Sequence, residues 1–337
     1  MPTCTTFFLS HKACLLGAAL TAALLAAALF SLCVGASGVS LWQGLGDALS
    51  GADTPAARIL LYIRLPRTLA AVLSGAALAC AGAMIQGVLG NPLANPNIIG
   101  VNAGAGFMTL LVSCLWPAAA GLVPLAAFAG ALAAAMLILV LAGRMGASRL
   151  TVVLAGVAIS AMLSAGSDLI TTLRPEATLG MSAFMIGGFS GITVSRLAAA
   201  AAYILPALVA ALLTSGELDV LSLGDEVAQS VGLRVRRARI TQLMLACVLA
   251  GAAVSFSGLI GFVGLLVPHA VRRVTGGEHR VLLPLSILGG AVLMLVCDTA
   301  ARTLFAPYEA PVGVLLSLLG GPFFLLLLLK NRRGGRV

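Results

Sequence analysis

Few residues in this chain could do chemistry, and the most informative are arginines in an otherwise apolar sequence. Arg64-Leu-Pro-Arg67 sets two guanidiniums at one mouth of a long Gly/Ala-rich run, and Asp298 and Arg302 stand four apart near the end of another. A guanidinium either anchors at a membrane interface by snorkelling or takes a carboxylate with two parallel hydrogen bonds. Residues four apart share one helix face, so Asp298 and Arg302 read as an ion pair. A proton relay would need a second carboxylate or a His at mid-membrane depth, and none stands there. His269, following Pro268, has no Cys, His or carboxylate at ligand spacing, which leaves it a structural or gating residue and no metal ligand. The only lysines, Lys12 and Lys330, lie outside any GxxxxGK[ST], so the chain cannot build a phosphate cradle. No catalytic residue and no cofactor site is expected.

The elements that must hold these residues are membrane spans. Of the 337 residues 60% are hydrophobic and 9% charged. A mean hydropathy of +1.10 lies far outside the range of soluble domains. Apolar runs at 13–34, 66–89, 97–115, 118–142, 150–172, 192–214, 239–257, 258–271, 281–298 and 311–329 predict an all-α integral membrane protein of about ten spans. The run at 258–271 is short and reads as broken or partly re-entrant. The Pro/Asn/Gly turn after the second run, with Asn91 and Pro92, breaks the backbone where only protein or water could satisfy it. No polar stretch is long enough for a separate domain, so 1–337 reads as one transmembrane unit.

Charge distribution supports the count and argues against nucleic acid as the reason for a net charge of +9. With ten spans and an inward N-terminus, one side carries Lys12, Arg144, Arg149, Arg234, Arg236, Arg237, Arg239, Arg272, Arg273, Arg280, Lys330, Arg332, Arg333 and Arg336. The other carries only Arg58, Arg64, Arg67, Arg174, Arg196 and Arg302. That is the positive-inside pattern, with both termini cytoplasmic. The stretch from His11-Lys12 to Val34-Gly-Ala36 is too long for a signal h-region, so a retained first span is expected. The seven cysteines have no CxxC spacing and read as apolar fillers. An offset of 176 residues aligns Gly75-Ala-Ala77 with Gly251-Ala-Ala253, Gly82 with Gly258 and Pro92 with Pro268, a weak inverted repeat of the kind that marks transport pathways.

One inward loop, about 215–238, is large. In Ser222-Leu-Gly-Asp-Glu-Val-Ala-Gln-Ser-Val-Gly232, Asp225 and Glu226 suit a helix N-terminus and Gly232 suits the position past its C-terminus. It reads as an ordinary capped connection or as a helix that docks on another protein.

Three separated motifs then resemble the iron-siderophore, haem and cobalamin permeases, the membrane subunits of type II ABC importers. They are Arg64-Leu-Pro-Arg-Thr-Leu69 with Gly75 to Gly82, Gln86, Asn91-Pro-Leu-Ala94 and Gly100; Ser257 to His269 with Arg272; and Pro311-Val-Gly313 with Gly320-Gly-Pro-Phe-Phe324. The similarity covers roughly 40–330. The chain departs from the family in lacking Trp around Met185 to Gly188 and in having Val231-Gly232 where Leu-Gly is usual. The resemblance implies a permease in a bacterial inner membrane that is moved by two separate cytoplasmic ATPases, fed by an extracytoplasmic binding protein and paired with a second permease protomer. It implies that Arg64 and Arg67, with Arg302 nearby, receive carboxylates of the binding protein. It also implies that 215–238 is the coupling segment, with Leu221, Gly224, Ala228 and Val231 as its apolar contact surface and Asp225 and Glu226 at the rim. The fifth and tenth spans would line the channel, with Asn91, Pro92, Pro268 and His269 in the pathway or its gates. Ferric siderophore is the expected cargo, with haem or cobalamin as alternatives. A secondary transporter or a membrane enzyme would need ionisable clusters that the sequence lacks.

Overall fold

The computed structural model describes residues 4–35, 40–144, 149–179, 181–304 and 308–334. Ala36 of the signal-like stretch and Arg336 of the basic flank lie outside the described residues. Among the described residues all regular structure is helical. The first helix, α1 (Cys4–Cys33), precedes two short ones, α2 (Leu41–Leu49) and α3 (Pro55–Ile59). A π-helical turn, Leu60–Arg64, runs directly into α4 (Leu65–Leu89). After a 3₁₀ turn at Pro96–Ile99 come α5 (Val101–Leu115), α6 (Val123–Arg144) and α7 (Arg149–Leu173). Two single turns, α8 (Glu176–Leu179) and α9 (Ser182–Ile186), lead to α10 (Val194–Leu213). The short α11 (Ser215–Ser222) and α12 (Asp225–Ser230) precede α13 (Val235–Ser257), α14 (Val263–Thr275), α15 (His279–Thr303) and α16 (Val312–Gly334).

Among the described residues seven helical stretches are long and apolar enough to cross a membrane, and α5 and the first part of α16 are shorter apolar helices. With α14 these follow the ten expected spans in order. The main difference is in the second: it runs unbroken over 35 residues, Pro55–Leu89, because the π turn joins two helical pieces that an apolar window separates.

At the centre stands α4, buried along almost all its length by α15, α13 and α14. Lipid gives packed helices no hydrophobic drive, so small residues that let backbones meet must hold them together. A Cβ at Gly82 would overlap the Gly264 backbone of α14, and one at Gly75 the Gly290 carbonyl of α15. Those crossings explain the Gly/Ala run.

Of the two readings of the run at 258–271, broken or partly re-entrant, the structure shows the break: α13 ends at Ser257 and α14 begins at Val263. The 13 residues of α14 span about 20 Å, short of the roughly 30 Å a bilayer core requires. Ser74 Oγ donates to Ser257 Oγ at 3.3 Å, and Ser74 lies about 14 Å along α4 from Leu65, so α13 ends inside the bundle. The break at 258–262 includes Phe262 with φ +67°, packed against Gly320 of α16. The repeat is clearer in element order than in residues. Both α4–α7 and α13–α16 run long, short, long, long, with an irregular connection after the first helix. Gly82 lies inside α4 whereas Gly258 follows the end of α13, and Pro92 lies in a turn whereas Pro268 is inside α14. Only the Gly75/Gly251 match falls within corresponding helices.

Candidate functional site

The polar residues gather at the two ends of the bundle. At one end all three predicted arginines are buried. Arg64 donates from Nη1 to the carbonyls of Leu32 (2.8 Å) and Cys33 (3.2 Å), so it caps the last turn of α1. Arg302 donates from Nη2 to the Ser31 carbonyl (2.6 Å) and hydroxyl (2.7 Å), and Ser31 Oγ lies 2.8 Å from Thr68 Oγ1.

Arg67 is the hub. Its Nε and Nη2 donate to the Asp298 carboxylate at 3.0–3.2 Å, while Nη1 donates to Glu309 Oε2 at 2.8 Å. Asp298 is 1% exposed and Glu309 39%. The expected Asp298–Arg302 pair exists at 3.8 Å, but Arg67 is the closer partner of Asp298. Outward arginine side chains therefore do not describe this end. Three guanidiniums face two carboxylates, so the cluster keeps a net positive charge. Nearby, exposed Arg58 pairs with Asp53 and holds its carboxyl below the usual range through their hydrogen bond.

Beside Arg67 a cavity of about 480 Å³ opens, lined by Arg196, Glu309, Ser190, Ser255 and Ser257 among the aromatic rings of Phe184, Phe189 and Phe256. Backbone bonds tie its walls together across distant elements. Leu259 N donates to Phe184 O (2.9 Å), Gly188 N to Ser257 O (2.8 Å) and Gly313 N to Gly187 O (3.3 Å). The freed backbone at the end of α13 is thus satisfied by protein beside a cavity, as a membrane break requires.

At the opposite end α12 has the predicted caps. Asp225 and Glu226 occupy its first turn, and Gly232 (φ +86°) follows its C-cap. Gly232 N donates to Gln229 O (2.9 Å) and Leu233 N to Ala228 O (3.0 Å), the paired bonds of a Schellman motif. Arg239 Nη2 donates to both Asp225 carboxylate oxygens at 2.7–2.8 Å, pinning α12 to α13. Asp219 of α11 accepts from the His279 backbone N (2.6 Å), and its Oδ1 lies 2.8 Å from His279 Nδ1, clamping α11 to the start of α15.

The predicted contact surface needs correction. Leu221 and Ala228 are buried, so they anchor the segment rather than present it, and Gly224 is only partly exposed. The apolar side chains that face out are Leu223, Val227 and Val231, the last two one turn apart, with Glu226 exposed beside them.

The remaining candidates are less concentrated. Asn91 and Pro92 are exposed in the turn after α4, where Asn91 Oδ1 accepts from Leu93 N at 2.9 Å. Pro268 is buried inside α14, and the His269 ring meets Phe323 edge-on at 6.0 Å between centroids. These residues are not brought together with either end cluster. Sequence reasoning missed Glu309, Arg196, Asp219 and His279 as site residues. Local charge spacing could not find the pair of Arg67 with Asp298, whose partners are 231 residues apart.

Among the described residues this is an all-helical bundle with a buried arginine cluster at one end and a capped helical loop at the other, and the family it matches gives its class, a transport permease. The "FecCD transport family" model matches residues 23–330, and the chain belongs to that family. It is 42% identical to the hemin transport system permease protein HmuU of Yersinia pestis, over 81% of this chain and 84% of that protein. It is 39% identical to the Fe(3+) dicitrate transport system permease protein FecD of Escherichia coli (strain K12), over 81% and 86%. A solved metal-chelate type ABC transporter in an inward-facing conformation superposes with a TM-score of 0.80 at 30% identity, covering 93% of this chain and 98% of that one. The protein is thus a multi-pass inner-membrane transport subunit.

Proposed function

We propose that this chain is the permease subunit of an ATP-driven importer that carries an iron chelate of the siderophore type. The family match over residues 23–330 carries this reading, because it takes in the arginine cluster at one end of the bundle and the capped helical loop at the other. The relatives whose names specify Fe(3+) citrate, achromobactin and hydroxamate support a siderophore-type cargo. The 42% identical hemin permease favours haem as a second reading. Both termini are cytoplasmic, and ATP is hydrolysed by two separate subunits.

Those subunits dock on the α11–α12 segment through Leu223, Val227 and Val231, with Gly224, Glu226 and Gly232 at the surface and Leu221, Asp225 and Ala228 holding the segment in place. The extracytoplasmic binding protein docks on the opposite end, over Arg64, Arg67 and Arg302, drawn by the positive excess there. A second permease protomer covers the exposed faces of α7 and α16, and the cargo passes between the two. Asn91, Pro92, Pro268 and His269 act in the pathway and its inner gate.

The test is ATPase activity in liposomes, with and without the cognate binding protein, for the chain co-expressed with its ATPase. Stimulation by the binding protein that Val227→Asp plus Val231→Asp abolishes supports the reading. Activity indifferent to the binding protein contradicts it.

A further inference from the structure

The Arg67 guanidinium is divided between two carboxylates of unequal permanence. Its inner edge is fixed on Asp298, while Nη1 faces the cavity and is taken by Glu309, from the connection between α15 and α16. Glu309 is 39% exposed where Asp298 is 1%, so solvent screens this half of the pair and Glu309 is the carboxylate that leaves more readily. On the same cavity Arg196 is exposed and makes no hydrogen bond or ion pair with the other described residues. Within a largely apolar lining the cavity thus holds one cation covered by a part-exposed internal carboxylate and a second cation with no partner among the described residues.

We propose that this cavity receives one acidic side chain of the docked binding protein, held between Arg67 and Arg196, and that Glu309 is its resident competitor. The inference rests on the docking reading above. Exchanging one carboxylate for another leaves the charge around Arg67 unchanged, so the fold does not depend on which is bound. The visitor gains Arg196 in addition, which gives the exchange its direction. Glu309 therefore keeps the undocked transporter's outer end closed to weak anions and yields to a carboxylate presented in the right place.

The measurement is the Kd of the binding protein for the complete permease–ATPase complex in lipid nanodiscs, over a range of salt concentrations. Glu309→Gln should tighten binding roughly 3- to 10-fold, and Arg196→Gln should weaken it by a similar factor and flatten its salt dependence. Unchanged or weaker binding by Glu309→Gln overturns the proposal. So does an Arg196→Gln variant that loses chelate uptake with unchanged Kd, which would assign the cavity to cargo. Arg67→Gln separates the two readings, and because it strands Asp298, Arg67→Gln/Asp298→Asn is measured beside it. If neither weakens binding, docking at this end is wrong. If both do while Glu309→Gln and Arg196→Gln are neutral, only the acceptor cavity is wrong.

Discussion

At Arg67 the most polar side chain of the bundle is also one of its structural pins. Burying a guanidinium is tolerable only with its charge matched and its donors used, and Asp298 does both at 1% exposure. Removing one partner leaves the other charged and buried. Asp298→Ala should therefore cost about 3–5 kcal/mol, read as a fall in the thermal midpoint of the detergent-solubilised protein. Arg67→Met combined with Asp298→Leu should restore most of it, and a double variant as unstable as the single one would contradict this account. The same logic limits charge reversal as a docking probe, since Arg67→Glu would set a third carboxylate beside Asp298 and Glu309. Arg64, which caps α1 through two carbonyls, is structural in the same sense.

Among the elements, α15 links the two ends. Its 25 residues extend about 37 Å from His279, clamped to α11, to Asp298 and Arg302 in the arginine cluster. Asp219→Asn should leave the ATPase able to copurify, through Val227 and Val231, while binding-protein stimulation falls several-fold because α11 no longer moves with α15. Equal loss of copurification would contradict this. The glycine crossings of α4 make a second prediction. Gly82→Val must push α14 away, an overpacking cost of about 1–3 kcal/mol that should appear as a lower melting temperature.

The caps of α12 were legible in the sequence because Asp225, Glu226 and Gly232 act locally. Its inner and outer faces were not, because only packing decides that Leu221 and Ala228 turn inward while Val227 and Val231 turn out. Likewise Arg64-Leu-Pro-Arg67 was legible as a pair of cations, and its burial was not, since the partners lie on α1 and α15.

For the whole molecule, the faces assigned to the proposed second protomer are among those left bare. Along α7, Leu150, Leu154, Val157, Met162, Leu169 and Leu173 are exposed, and α16 exposes Val314, Leu318, Leu319, Leu325, Leu326 and Leu329. Lipid alone can cover such faces, as it does those of α1, whose packing is against α15. A pathway for a bulky chelate, however, needs a wall on its other side. Cysteines placed at Met162 and Leu319 should cross-link between two permease copies in membranes, whereas one at Leu25 of α1 should not. Equal cross-linking at all three would argue for random encounter.

The most direct test of the central claim is uptake of a radiolabelled ferric chelate by liposomes holding this chain and its ATPase, with the binding protein outside and ATP inside. Uptake that requires ATP, binding protein and chelate together is the predicted result. Uptake that proceeds without ATP, driven by an ion gradient, would contradict the account.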